Sequence, residues 1–224
     1  MNRLWFRISG LSGILGGLVL FAGDMLLYYN DSGTDLLKNM GNSSDLRIIL
    51  SGISALVATW LYLIGLSQVY YAFKPSSVNI IKIVVICFAA IFIIYGIVHA
   101  EYIAIAVTAK LSIQNQLNIA ESTKLATQTN NILRLFAYPF FAVLSFLFIK
   151  QVWIKKTLYP RWIILFFPLI PFLFKDIVSS LLSGRAWLII MGGYLNLLIV
   201  FFFLASTISL WNKYPGINEN KNKQ

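Results

Sequence analysis

Apolar residues run through this chain in long blocks, not in the strict alternation of a half-buried strand. Six blocks, at about 5–29, 46–73, 78–110, 129–152, 160–182 and 187–212, approach or exceed the roughly 20 mostly apolar residues that cross a bilayer. Lipid offers no partner to a backbone N–H or C=O, so each block reads as a helix. The expected fold is all-α: a polytopic membrane protein built as a six-transmembrane-helix bundle, one integral domain over 1–224 with no soluble domain attached. The first block follows Arg3 and Arg7 like a signal peptide, but no small-x-small cleavage site follows it, and it reads as a retained helix. The third block is longer than a bilayer requires, and its polar continuation, 111–128, reads as a helical excursion outside. Pro139 in the fourth block and Pro168 and Pro171 in the fifth each remove a backbone hydrogen bond and predict kinks. The polar stretch 216–224 reads as a disordered cytoplasmic tail.

Composition excludes whole classes. Hydrophobic residues make up 58% of the 224 and charged residues 12%, against about 25% charged in soluble domains; mean hydropathy is +0.76. A soluble globular protein, a disordered chain and a nucleic-acid-binding module are ruled out. The net charge of +10 reflects a shortage of acids (8, against 18 Lys and Arg) and not a basic face. A single cysteine, Cys87, excludes an internal disulfide and a multi-cysteine metal site.

Charge also orients the bundle. With the N-terminus inside, Arg3, Arg7, Lys74, Lys82, Lys150, Lys155, Lys156, Arg161, Lys213, Lys221 and Lys223 fall on the cytoplasmic side, eleven of the 18. Asp31, Asp35, Asp45 and Glu121 fall outside. A basic excess inside is the membrane-protein norm, and six spans bring both termini to the cytoplasm of a cell inner (plasma) membrane. Tyr70, Tyr71, Trp153, Trp162, Trp211 and Tyr214 at the inner borders, and Tyr28, Tyr29 and Trp187 at the outer ones, fit aromatic belts. Trp60 and Tyr62 lie mid-span and read as packing residues.

The first block carries Ser9, Gly13 and Gly17 on one stripe and Ser12 and Gly16 on the next; the second offers Ser51, Ser54, Ala55 and Ala58. Small residues at this spacing let two backbones approach closely. The first two helices are therefore expected to pack as tight neighbours.

Ionisable residues inside a membrane are costly and point to function. At 1.5 Å per residue from the inner borders, Asp24, His99 and Asp176 reach about 24, 25 and 21 Å. Glu101, Lys175 and Arg134 lie near the same level, and Arg47 and Arg185 at the outer border. Tyr95, His99 and Tyr102 share one helix face at i, i+4 and i+7, whereas His99 and Glu101 cannot both face one point. The inner half is empty of charge over 8–23, 83–94 and 162–174. The pattern predicts a polar pocket in the outer third, lined by Asp24, His99, Asp176, Arg134, Glu101, Tyr95 and Tyr102 and closed below by an apolar plug. Arg47 and Arg185 read as snorkelling to the headgroups.

The chemistry this layer supports is limited. A histidine beside carboxylates can act as a general base, and Ser179 and Ser180 follow Asp176, but no nucleophile elbow accompanies them. One histidine in the whole chain argues against the multi-histidine zinc hydrolases of membranes; His99 with Asp24 and Asp176 could form a mixed metal site, but the spacing signature is absent, and no metal or cofactor is expected. The basic excess suits a small polar or amphipathic ligand, anionic or lipid-like. The leading expectation is binding of such a ligand, with intramembrane catalysis left open. A small transporter is the alternative, and a structural or partner-binding subunit the second. The bilayer is the one certain partner; the oligomeric state is not readable.

Gly23-Asp24-Met25-Leu26-Leu27-Tyr28 closing the first helix, with a lone His99 followed by an aromatic in the third, resembles an uncharacterised family of small bacterial membrane proteins of about this length. The resemblance implies no activity. It implies that Asp24 and His99 belong to one feature. The Asn-, Lys- and Ile-rich composition fits a bacterial source with an AT-rich genome.

Overall fold

A computed structural model describes residues 3–30, 33–211 and 213. Every regular element among them is a helix: α1 (Arg3–Tyr28), α2 (Leu36–Gly41), α3 (Asp45–Ala72), α4 (Val78–Gln114), α5 (Ile119–Ser122), α6 (Lys124–Leu135), α7 (Ala137–Trp153), a 3-10 segment (Arg161–Phe166), α8 (Leu169–Phe172), α9 (Lys175–Ser180), α10 (Gly184–Gly192) and α11 (Tyr194–Leu210). Four stretches are long and apolar enough to cross a membrane: Leu4–Tyr28, Asp45–Ala72, Val78–Gln114 and Lys124–Trp153. A fifth is a bent pair, α10 and α11, which meet at 62°. Asp31, Tyr214 and the tail 216–224 lie outside the described residues.

The chain departs from six helices with proline kinks at two places. The block 160–182 is a 3-10 segment and two short helices. Phe167 is extended (φ −65°, ψ 127°), the backbone forced on a residue that precedes proline. Pro168 and Pro171 then withhold two N–H groups within one turn, so no continuous ladder forms. The block 187–212 bends at Gly193, where Gly192 and Gly193 supply no side chain to hold the turn. In the fourth block Pro139 sits in the first turn of α7, and the helix is interrupted just upstream, at Phe136.

Residues 7 and 211 meet at one end of the bundle, where the Arg7 guanidinium lies 4.2 Å from the Trp211 ring. At the same end Lys213 Nζ donates to Leu158 O (2.8 Å), and Leu158 N to Ala72 O (2.7 Å). At the opposite end the terminal carbonyls of α1, which lack intrahelical donors, are met by side chains from α2 and α3. Arg47 donates to Met25 O, Leu26 O and Tyr29 O. Asn39 Nδ2 donates to Tyr28 O (2.9 Å), and Ser43 Oγ lies 3.3 Å from Leu26 O and Leu27 O. Arg47 therefore caps a helix, where the sequence suggested snorkelling, and α2 is pinned over that end.

The small residues of α1 serve two neighbours. Gly16 faces Tyr62 and Ala58 of α3, and Gly23 faces Ser54. Gly13 faces Phe203, and Gly17 faces Val200 and Asn196, all of α11. The α1–α3 pairing is as expected; Gly13 and Gly17 of the first stripe, however, also admit α11, and Gly13 meets Gly65 of α3 as well. Tyr62 is buried and stacked on Phe92 (4.5 Å), whereas Trp60 is 58% exposed.

Phe88, Phe92, Phe148, Phe167, Phe202 and Phe203 fill the middle of the bundle, all at most 4% exposed. Below them Gln68 Oε1 accepts from Ser206 (2.8 Å), whose hydroxyl also meets Tyr159 (2.8 Å). This inner polar cluster is buried. The aromatic layer separates it from the site described next.

Candidate functional site

Gly17 and Asp24 are seven residues apart on α1 and share a face. Because Gly17 admits α11 to close contact, Asn196 reaches Asp24: its Nδ2 donates to Asp24 Oδ2 at 2.6 Å. From the other side α4 brings His99, whose Nδ1 lies 2.9 Å from Asp24 Oδ1. The Asp24 side chain is 3% exposed. A carboxylate so buried is tolerable because Oδ2 accepts a hydrogen bond from Asn196 and Oδ1 stands against the His99 ring. With Nδ1 committed to Asp24, Nε2 is the ring's remaining polar atom. It has no protein partner among the described residues.

These residues form one wall of a cavity of about 740 Å³, a size typical of small-molecule sites. The same wall carries Tyr28, Tyr95, Tyr102 and Arg134. Asn130 Nδ2 donates to Val98 O (2.7 Å), and its Oδ1 accepts from Arg134 Nη2 at 3.1 Å. The same Nη2 donates to Tyr102 OH at 2.9 Å. The guanidinium is thus held on α4 through Asn130 and Tyr102. Its buried Nε has no hydrogen-bond partner among the described residues. Lys175, half-buried, adds a second cation, with Nζ 5.8 Å from the Phe172 ring. The lining also includes apolar side chains: Phe141, Leu169, Phe172, Met191 and Leu195. The cavity therefore sets two cations and a histidine against one carboxylate that is already engaged twice.

Beneath lies a void of about 20 Å³ lined by side chains including Phe88, Phe92, Phe167 and Phe202, with no polar lining surface. An apolar void of that size stays dry.

Of the seven sequence-predicted site residues, Asp24, His99, Tyr95, Tyr102 and Arg134 line this one cavity. Asp176 and Glu101 do not. Asp176 is exposed, and its neighbour Lys175 faces in, as successive helical residues project about 100° apart. Glu101 is half-buried, on the side of α4 that carries exposed Ile93 and Ile97. Ser179 and Ser180 do not line the cavity: Ser179 accepts from Trp187 Nε1 (2.9 Å) and Ser180 donates to Ile177 O. No group of three His, Cys, Asp or Glu able to hold a metal occurs among the described residues. Sequence reasoning missed Asn196 and Asn130. The available signal was an amide amid apolar residues in the sixth block, within Tyr-Leu-Asn-Leu-Leu, and the amides just ahead of Arg134.

A family model described as a family of unknown function, DUF6796, matches residues 1–213. No curated protein matches the chain, and no solved structure does.

Proposed function

We propose, for a chain that belongs to the DUF6796 family of unknown function, a membrane protein that binds an amphipathic ligand with an anionic head in the cavity of its outer third. One observation carries this reading: Arg134, Lys175 and His99 line a single cavity together with Phe141, Leu169, Phe172, Met191 and Leu195. Arginine and lysine suit a phosphate or carboxylate, and the apolar part of the lining suits a hydrocarbon. His99, oriented by Asp24, is placed to bond such a head or to move a proton on it, so intramembrane catalysis on the same ligand stays within the proposal. Transport is the weaker reading, because the aromatic floor offers no polar step toward the Gln68 cluster.

The test compares heads at constant chain length. In protein purified into phosphatidylcholine nanodiscs, dodecyl phosphate should raise the melting temperature and dodecyltrimethylammonium should not. Arg134→Gln or Lys175→Gln should each weaken dodecyl phosphate binding about tenfold, the loss of roughly one charge-assisted hydrogen bond. Equal response to both amphiphiles, or no effect of either variant, refutes the reading.

We further propose a bacterial plasma-membrane protein with both ends cytoplasmic, in which the broken segment 160–182 and the bent α10–α11 pair complete six passes. Supporting this, Arg7 and Trp211 meet at the end that also carries Lys74, Lys155, Lys156 and Arg161. In a Cys87→Ala background, a cysteine at position 120 should react with an impermeant maleimide in intact cells, and one at 155 only after permeabilisation. The reverse pattern inverts the orientation.

A further inference from the structure

The mouth of the cavity can be located from exposure. Of the residues that line it, three are exposed: Tyr138 and Ala142 on α7, and Phe172 at the end of α8. All three border one gap, between α7 and the Leu169–Lys175 turn. The rest of the lining is buried or half-buried, and Leu36 of the pinned α2 lies across the end nearest the outer loops. Ala142 is 11 residues from Trp153, about 17 Å along the helix, well within a hydrocarbon core roughly 30 Å thick. The flanks are apolar and exposed on both sides: Val143 and Phe146 on α7, and Leu173, Phe174 and Ile177 beyond the turn. Water does not reach such a mouth, and acyl chains do.

The gap exists because Pro168 and Pro171 break the fifth block. A continuous helix there would stand beside α7 along its length. The short α8 and α9 leave α7 uncovered at Tyr138 and Ala142.

Resting on the anionic-amphiphile reading above, we infer that the ligand is a single-chain anionic lipid that enters sideways from the bilayer between α7 and the Leu169–Lys175 turn. Its phosphate or carboxylate sits at Arg134, Lys175 and His99, and its chain lies along Phe141, Leu169 and Phe172. A volume in the drug-sized range fits one chain.

The experiment uses full-length protein in phosphatidylcholine nanodiscs with radiolabelled dodecyl phosphate as probe. p-Benzoylphenylalanine is placed at position 142, and separately at position 56, where Leu56 is 52% exposed on α3 away from the cavity. Position 142 should capture the probe saturably, with unlabelled dodecyl phosphate competing and butyl phosphate not. Position 56 should capture it without saturation. Ala142→Trp, which occupies the mouth, should melt like the unsubstituted protein and weaken dodecyl phosphate binding about tenfold. Competition by butyl phosphate as strong as by its dodecyl counterpart would mean access from water, and would overturn the sideways route while sparing the anionic site. Capture at 142 no more saturable than at 56 would overturn it too. Undiminished binding in Arg134→Gln and Lys175→Gln would instead bring down the anionic reading on which the route rests.

Discussion

Gly17→Leu is expected to destabilise the protein by about 1–3 kcal/mol, the usual cost of forcing methylenes into a packed interior. A Cβ at Gly17 meets Val200 Cγ2 at once, with Asn196 O and Val200 N at 3.2 Å. Two of those three atoms are backbone, so no rotamer change relieves the contact and α11 must move. At Gly13 the obstacle is the Phe203 ring, itself buried among Tyr62, Phe92 and Phe202, with Gly65 of α3 alongside; leucine there should cost a similar amount. Leu15→Ala and Leu18→Ala, at 52% and 45% exposed on the outward side of α1, are the controls and should melt close to the unsubstituted protein. Gly17→Leu has a second consequence. Displacing α11 draws Asn196 away from Asp24, so dodecyl phosphate binding should weaken with stability. Thermal melts in detergent and the nanodisc binding assay read both. Wild-type melting of both glycine variants would remove the α1–α11 interface as described.

The helical character of the chain was legible because hydropathy is an average over about 20 residues, and block length survives averaging. Kinks were legible from Pro139, Pro168 and Pro171; that the fifth block breaks into a 3-10 segment and two short helices was not, because averaging discards position. Pro168 and Pro171 leave the fifth block as apolar as its neighbours, yet two prolines three apart, with a preceding residue forced extended, cannot sit in one helix. The Gly192–Gly193 pair hides in the same way within the sixth. Small-residue stripes revealed that α1 packs closely but not against which helix on each face. Partner choice depends on the facing surfaces, and Val200, Phe203 and Asn196 of α11 carry no small-residue signature.

At the site, depth was readable and direction only partly so. Counting residues from the borders put Asp24 and His99 at one level, and His99 Nδ1 lies 2.9 Å from Asp24 Oδ1. The same count favoured Asp176, which a single step of helix turns away and replaces with Lys175. Tyr95, His99 and Tyr102 were legible together because their spacing fixes a face. Arg47 illustrates a further limit: no periodicity reveals that a guanidinium will satisfy carbonyls of a helix more than 17 residues earlier in the chain. Tertiary contacts of this kind decide which charges are structural. They also leave Arg134 and Lys175 as the cations that face the cavity.

Asp24 tests whether its three-residue node is structural, functional or both. Asp24→Leu removes the acceptor of two buried donors, His99 Nδ1 and Asn196 Nδ2, and each orphaned donor costs about 1–3 kcal/mol. The variant should therefore be the least stable single change at the site. Asp24→Asn keeps the shape and one acceptor oxygen, and His99→Gln orphans one oxygen instead of two donors, so both should melt between Asp24→Leu and the unsubstituted protein. Replacing the whole node, Asp24→Leu with His99→Phe and Asn196→Leu, leaves nothing unpaired. Buried polar groups exchanged together for apolar ones often cost little, so the triple variant should regain most of the stability lost in Asp24→Leu, a non-additivity diagnostic of direct coupling. If the node were helix-to-helix glue alone, the stable triple variant would still bind dodecyl phosphate, since Arg134 and Lys175 remain. We expect binding to fall about tenfold instead, through loss of the His99 Nε2 contact with the head. Recovered stability with undiminished binding would assign Asp24, His99 and Asn196 to the architecture and leave recognition to the two cations.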